Sequence, residues 1–137
     1  MVQSVDRSTP ILQNRQAAGV PFDLKICTKL FALRIIRLYR KLPRDDEARV
    51  VGKQLLRSGT SIGANYRAAC RARSKAEFIA KIGIVLEEAD ETVFWLEFLL
   101  ETGIFAQDKI GQLLAEANQL TAIFVSSLKT TKGLDRK

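Results

Sequence analysis

The segment Glu47–Arg73, EARVVGKQLLRSGTSIGANYRAACRAR, decides how the rest of the chain is read. At about 100° per residue it is a helix with two faces. Ala48, Val51, Leu55, Ser58, Ile62, Tyr66 and Ala69 recur every three or four residues, the spacing of a stripe turned into a bundle core. The other face carries Arg49, Lys53, Arg57, the short side chains of Thr60 and Ala64, then Arg67 and Arg71. At a rise of about 1.5 Å per residue this basic row runs about 33 Å. No acidic residue interrupts it. Like charges four apart on a helix repel by a few tenths of a kcal/mol per pair. Five cations kept in one row therefore suggest a polyanionic or acidic partner, either nucleic acid or an acidic protein surface. The plain alternative is a solvated face.

The same segment holds Gly59 and Gly63, each costing about 1 kcal/mol against alanine inside a helix. Two such residues predict close approach by another backbone or a ligand, or a local bend. Gly59-Thr60-Ser61-Ile62-Gly63 also spells the G-x-S-x-G pattern of a serine nucleophile elbow. That chemistry needs a strand-to-helix turn and normally a histidine base. The chain has no histidine and no strand pattern, so small residues lining a helix contact are the preferred reading.

Working outward, a helix is predicted over 22–42, stopped by Pro43. Leu24, Cys27, Phe31, Ile35, Leu38 and Leu42 form its stripe. A second apolar set, Phe22, Ile26, Leu30, Leu33 and Ile36, lies on another side, among Lys29, Arg37 and Arg40. Two apolar faces predict a second packing partner, inside the bundle or from another subunit. Asp45 or Asp46 is placed to cap the helix over 47–73. Ser74 with Glu77 reads as a capping box opening a third helix over 75–102, ended by Gly103. Its predicted core stripe is Phe78, Ile82, Leu86, Ala89, Val93, Leu96 and Leu100. Its outer face mixes Glu87, Glu88 and Glu91 with Ile84, Phe94, Trp95 and Phe98, an apolar set that predicts an oligomer interface. A fourth helix, 106–130, turns Ile110, Leu113, Ala117, Leu120 and Phe124 inward. Residues 1–21 read as a loosely ordered arm and 132–137 as a basic tail around a bundle spanning 22–131. The fold class is all-α: an antiparallel up-down four-helix bundle.

With 137 residues, the chain fits one domain with one core. Its net charge of +7 is unevenly placed. Residues 25–81 hold 15 basic and four acidic side chains, net +11, and residues 82–128 one basic and eight acidic, net −7. Such polarity favours a nucleic-acid partner or head-to-tail contact between identical subunits. Cys27 and Cys70 read as reduced core residues of a cytoplasmic protein and cannot by themselves form a zinc finger. No apolar run is long enough for a membrane span. Glu87, Glu88, Asp90 and Glu91 lack the Glu-x-x-His partner of bundle di-metal sites, so no metal is expected and the acids are read as a solvated or inter-subunit ion-pairing face. No phosphate-binding glycine motif occurs, and no cofactor or catalytic residue is expected.

The run Ser61–Phe78, SIGANYRAACRARSKAEF, with Glu87-Glu88-Ala89-Asp90-Glu91-Thr92, Trp95-Leu96 and Phe22-Asp23-Leu24, resembles the four-helix-bundle family of 23S rRNA intervening-sequence proteins. The resemblance spans about 22–124. It implies a bundle commonly assembled as a homopentamer. Among that family's relatives are accessory proteins of diversity-generating retroelements, basic pentamers that bind a reverse transcriptase and nucleic acid. The chain is more similar to the intervening-sequence branch. It departs at Ala68, where many members carry a glutamate; any pairing of that acid with Arg67 or Arg71 does not transfer, and the face is left more purely basic. The leading expectation is a non-catalytic nucleic-acid-binding adaptor that reads phosphates, through Arg49, Lys53, Arg57, Arg67 and Arg71, rather than bases. The alternative is a structural homo-oligomer in which this basic helix meets the acidic helix of a neighbour, with Ile84, Phe94, Trp95 and Phe98 at the interface.

Overall fold

The first three helices begin where a short polar side chain satisfies one of the first free backbone N–H groups. In the computed structural model, which describes residues 23–104 and 107–133, α1 spans Leu24–Arg40, α2 Asp46–Cys70, α3 Lys75–Thr102 and α4 Gln107–Lys132. Asp23 caps α1 by accepting from the Lys25 N–H at 2.9 Å. Asp45 caps α2 through the Ala48 N–H at 3.0 Å, and Asp46 and Glu47 then lie in the first turn, at the positive end of the helix dipole. Ser74 accepts from the Glu77 N–H at 3.0 Å, and the Glu77 carboxylate reaches back to the Arg73 N–H at 3.0 Å. This box takes residues 71–74 for the turn, so α2 ends at Cys70 rather than running to Arg73. Gly103 closes α3 in the left-handed region, at φ 71°, as its place after the last helical residue predicted. The expected arm over 1–21 and the tail beyond Gly133 lie outside the described residues, as do Phe22 and Ala106.

Five residues separate α1 from α2, and four separate each later pair. Such connections reach roughly 20 Å at most, shorter than even α1 at about 25 Å. Consecutive packed helices must therefore run antiparallel. Close contacts along α2 display this directly. Gly52 lies against Leu42 and Tyr39, Gly59 against Ile35 and Gly63 against Thr28, so α1 descends as α2 rises. Gly59 and Gly63 are thus explained: a Cβ on Gly59 would stand 2.9 Å from Ile35 Cγ1, and one on Gly63 would stand 3.1 Å from Thr28 Oγ1. Close approach of α1 is the reason they are glycine. Helix α4 closes the bundle against α3 and, more loosely, α1. No strand occurs among the described residues.

Cys27, Phe31, Ile35 and Leu38 of α1, Ala48, Leu55, Ile62 and Ala69 of α2, and Ile110, Leu113, Ala117, Leu120 and Phe124 of α4 are buried, as their stripes predicted. Each large apolar side chain removed from water contributes about 1.5–3 kcal/mol. On α3 the prediction holds for Ile82, Ala89 and Leu96 but not for the other four members of its stripe. The buried line is Ile82, Val85, Ala89, Thr92, Leu96 and Leu99, while Phe78, Leu86, Val93 and Leu100 only flank it. The charged side of α3 also carries Ile84, Phe94 and Phe98, so periodicity fixed the helix's existence but its rotation only loosely. Cys27 is buried as expected, whereas Cys70, placed in the core by the sequence reading, is exposed at the end of α2. Of the second apolar set on α1, Ile26 is 57% and Leu33 37% exposed.

Candidate nucleic-acid interface

With one face of α2 fixed against α1 and α3, its opposite face must point outward; Arg49, Lys53, Arg57 and Arg67 are exposed on it, and Arg71, predicted inside the helix, is exposed just past its end at the C-cap. Thr60, in the middle of the row, spends its hydroxyl on the Leu56 carbonyl at 2.7 Å, and Ala64 beside it is exposed. Ser61 likewise donates to the Ser58 carbonyl at 3.0 Å inside a continuous helix, a setting unlike a nucleophile elbow.

The five cations are not equivalent. Arg57 reaches across to α3, its two terminal nitrogens lying 3.3 Å from Glu88 and 2.6 Å from Glu91. Glu91 also accepts from the Trp95 indole N–H at 3.0 Å. The hydrogen bond from Arg57 is the largest reason, and that from Trp95 the next, that the Glu91 carboxyl titrates below the ordinary glutamate range. Bonding to Glu91 in turn raises the pKa of the Arg57 guanidinium. Complementarity between the basic and acidic helices, which the sequence reading placed between subunits, is thus partly met inside one chain. Arg49, Lys53, Arg67 and Arg71 make no ion pair among the described residues. The field of the row is therefore strongest towards its two ends.

Behind Arg57 the helices are joined by a buried polar contact, Thr92 Oγ1 to Ser58 Oγ at 3.1 Å, with the Thr92 hydroxyl also held by the Glu88 carbonyl at 2.7 Å. This ties the register of α2 to that of α3 and so aims Glu88 and Glu91 at Arg57.

The predicted interface residues divide. Phe94 is 50% and Phe98 42% exposed, and with Trp95 they form one aromatic cluster with ring centroids 4.8–5.7 Å apart. Trp95 is half-buried and packs on the core, so it supports the cluster rather than presenting itself. Ile84, 42% exposed, stands about 15 Å back along α3, on the helix rise. Through Glu91 and Trp95, the aromatic cluster adjoins the basic row at Arg57, a proximity between elements 34 residues apart that no local spacing revealed.

Tyr66, at the far end of the α2 stripe, packs its ring 5.5 Å from that of Phe124. Burial, then its hydrogen bond to Cys70, push its phenol up to about 12. It is therefore a neutral packing residue at physiological pH. Among the described residues no group of three or more His, Cys, Asp or Glu side chains is gathered to hold a metal ion, and no helix is long and apolar enough to cross a membrane.

Residues 23–126 match the family model described as 23S rRNA-intervening sequence protein, and the chain belongs to that family. It is similar, at 39% identity and a TM-score of 0.73, to a protein of unknown function from the S23 ribosomal protein family of Bacteroides thetaiotaomicron, whose crystal structure was determined at 1.70 Å. The similarity covers 78% of this chain and 99% of that one. No curated protein matches the chain.

Proposed function

We propose that this member of the 23S rRNA-intervening sequence protein family binds nucleic acid through the exposed face of α2, as a non-catalytic adaptor. The observation that carries the reading is the row Arg49, Lys53, Arg67 and Arg71: three exposed cations on one face of α2 and a fourth at its C-cap, with no ion pair among the described residues. Such a row meets phosphates, not base edges, so binding is salt-sensitive and weakly sequence-selective. Four phosphate contacts on a single strand predict about a fifty-fold loss of affinity between 50 and 200 mM salt. Arg57 contributes less, because binding phosphate would mean giving up Glu88 and Glu91.

The test is binding of a labelled RNA and a labelled DNA at both salt concentrations, with Arg49→Glu/Lys53→Glu and Arg67→Glu/Arg71→Glu variants. Helix content and oligomer mass are measured on the same samples. Weakened binding by variants that keep their fold and mass supports the reading. Binding as tight as that of the parent chain refutes it.

The exposed pair Phe94 and Phe98 favours a second, compatible reading, that copies of the chain associate through this aromatic cluster. A ring of such chains would repeat the basic row and multiply its field. Light scattering on Phe94→Ala/Phe98→Ala, which leaves Trp95 on the core, tests it. A fall in mass supports association there, and an unchanged mass excludes it.

A further inference from the structure

The seam where α1 and α4 meet least closely opens into a cleft of about 410 Å³, within the size range of small-ligand sites. Its floor is apolar, Leu38 and Leu113. Five cationic side chains, Arg34, Arg37, Arg40, Lys41 and Lys109, line it with Gln112, and among the described residues no carboxylate does. We propose that this cleft is a binding site for a triphosphate group.

Dipole compensation does not account for the cluster. Arg37 and Arg40 lie in the last turn of α1, where cations are favoured, but Lys109 sits near the start of α4, where the dipole disfavours a cation. Bringing Lys109 against the basic end of α1 is electrostatically costly on both counts. An anion of high charge density would reverse that cost. Arginine forks match phosphate oxygens two at a time, and three of the five cations are arginines. The deepest of them, Arg34, is held by its ion pair with Glu116, a carboxylate only 2% exposed, so it shapes the inner wall of the site while Arg37, Arg40 and Lys109 meet the ligand. A compact polyphosphate suits the concave, cation-lined shape better than an extended strand. Arg40 also lines the adjoining groove with Arg44 and Arg49, so positive charge continues from the cleft to the beginning of the α2 row. The triphosphate can thus come from a free nucleotide or from the 5′ end of an RNA lying along that row. The site stands on different helices from the proposed nucleic-acid face and does not depend on it.

The experiment is calorimetric titration of the full chain with inorganic tripolyphosphate, with ATP, and with one RNA oligonucleotide carrying either a 5′-triphosphate or a 5′-hydroxyl, all at matched ionic strength. Three proteins are compared: the parent chain, Arg37→Glu/Lys109→Glu, and the α2 variant Arg67→Glu/Arg71→Glu, whose residues line neither the cleft nor the adjoining groove. Lys109→Gln serves as a milder cleft variant should the double reversal alter helix content. Losing charge-assisted hydrogen bonds in the cleft should weaken tripolyphosphate at least about tenfold, while the α2 variant leaves it within about twofold. A preference for the 5′-triphosphate RNA that disappears in the cleft variants identifies an RNA end. Binding of ATP and tripolyphosphate without that preference identifies a free polyphosphate or nucleotide. Failure of every triphosphate to bind the parent chain overturns the proposal. So does equal weakening by the cleft and α2 variants, the mark of general charge attraction.

Discussion

Replacing Gly59 with alanine should destabilise the bundle, although alanine is the better helix former by about 1 kcal/mol. The added Cβ would lie 2.9 Å from Cγ1, 3.0 Å from Cγ2 and 3.3 Å from Cβ of Ile35. Ile35 is fully buried and β-branched, so it cannot swing aside as a flexible chain end would. Forcing an extra methyl into a packed core costs about 1–3 kcal/mol. Set against the gain in helix propensity, the net loss is about 1 kcal/mol, or roughly 3–5 °C in melting temperature for a domain of this size. Gly83 is the control, because a Cβ there meets nothing within 4 Å. Gly83→Ala should therefore stabilise by about 1 kcal/mol. The two variants should differ by about 2 kcal/mol. Urea unfolding followed by helical ellipticity, at one fixed protein concentration, measures both. An Ile35→Ala background supplies the decisive arm. With the branched side chain gone, Gly59→Ala should change sign and stabilise. If Gly59→Ala stabilises the parent chain as much as Gly83→Ala does, the close α1–α2 approach is wrong.

Three further outcomes follow from particular contacts. Arg34→Met removes the guanidinium from Glu116, which is 2% exposed, and should cost about 3–5 kcal/mol; Arg57→Met breaks a largely solvated pair and should cost less than about 1 kcal/mol. Equal shifts in the urea midpoint would contradict this ordering. Because the folded state depresses the Glu91 pKa, the stabilisation from its ion pair is fully present above the unfolded glutamate value of about 4.3 and is lost as pH falls through the folded value. Fluorescence of Trp95, the single tryptophan and a donor to Glu91, should report a midpoint below that value, and Arg57→Gln should move it upward; a midpoint indifferent to Arg57 would count against the network. Across the α2–α3 seam, Thr92→Val alone should cost about 1 kcal/mol, because the buried Ser58 hydroxyl then keeps only its long 3.4 Å bond to the Leu55 carbonyl, whereas Thr92→Val with Ser58→Ala should recover most of the loss. Additive losses in the double variant would argue against that hydrogen bond.

Local chemistry was enough to write the elements of this fold into the sequence. Asp45, Ser74 with Glu77, Pro43 and Gly103 act on backbone within a few residues of themselves, so the helix boundaries were legible to within about three residues. The stripes of α1, α2 and α4 were legible because each has polar residues opposite its apolar ones, and that opposition turned the row from Arg49 to Arg71 outward. Where the charged side also carries large apolar residues, as on α3, the pattern gives the phase only loosely, and packing added Val85, Thr92 and Leu99 to Ile82, Ala89 and Leu96 on the inner line. The charge arrangement was decided almost wholly in three dimensions. Arg57 meets Glu88 and Glu91 from more than thirty positions away, and Arg34 meets Glu116 from 82 away. Lys109 joins the basic end of α1 only because α4 closes the bundle there. Coulomb interaction depends on distance through space and on exposure to water, and both are set by how neighbouring helices are rotated and slid against one another. The sequence determines which charges each helix carries; the bundle determines which of them remain for a partner.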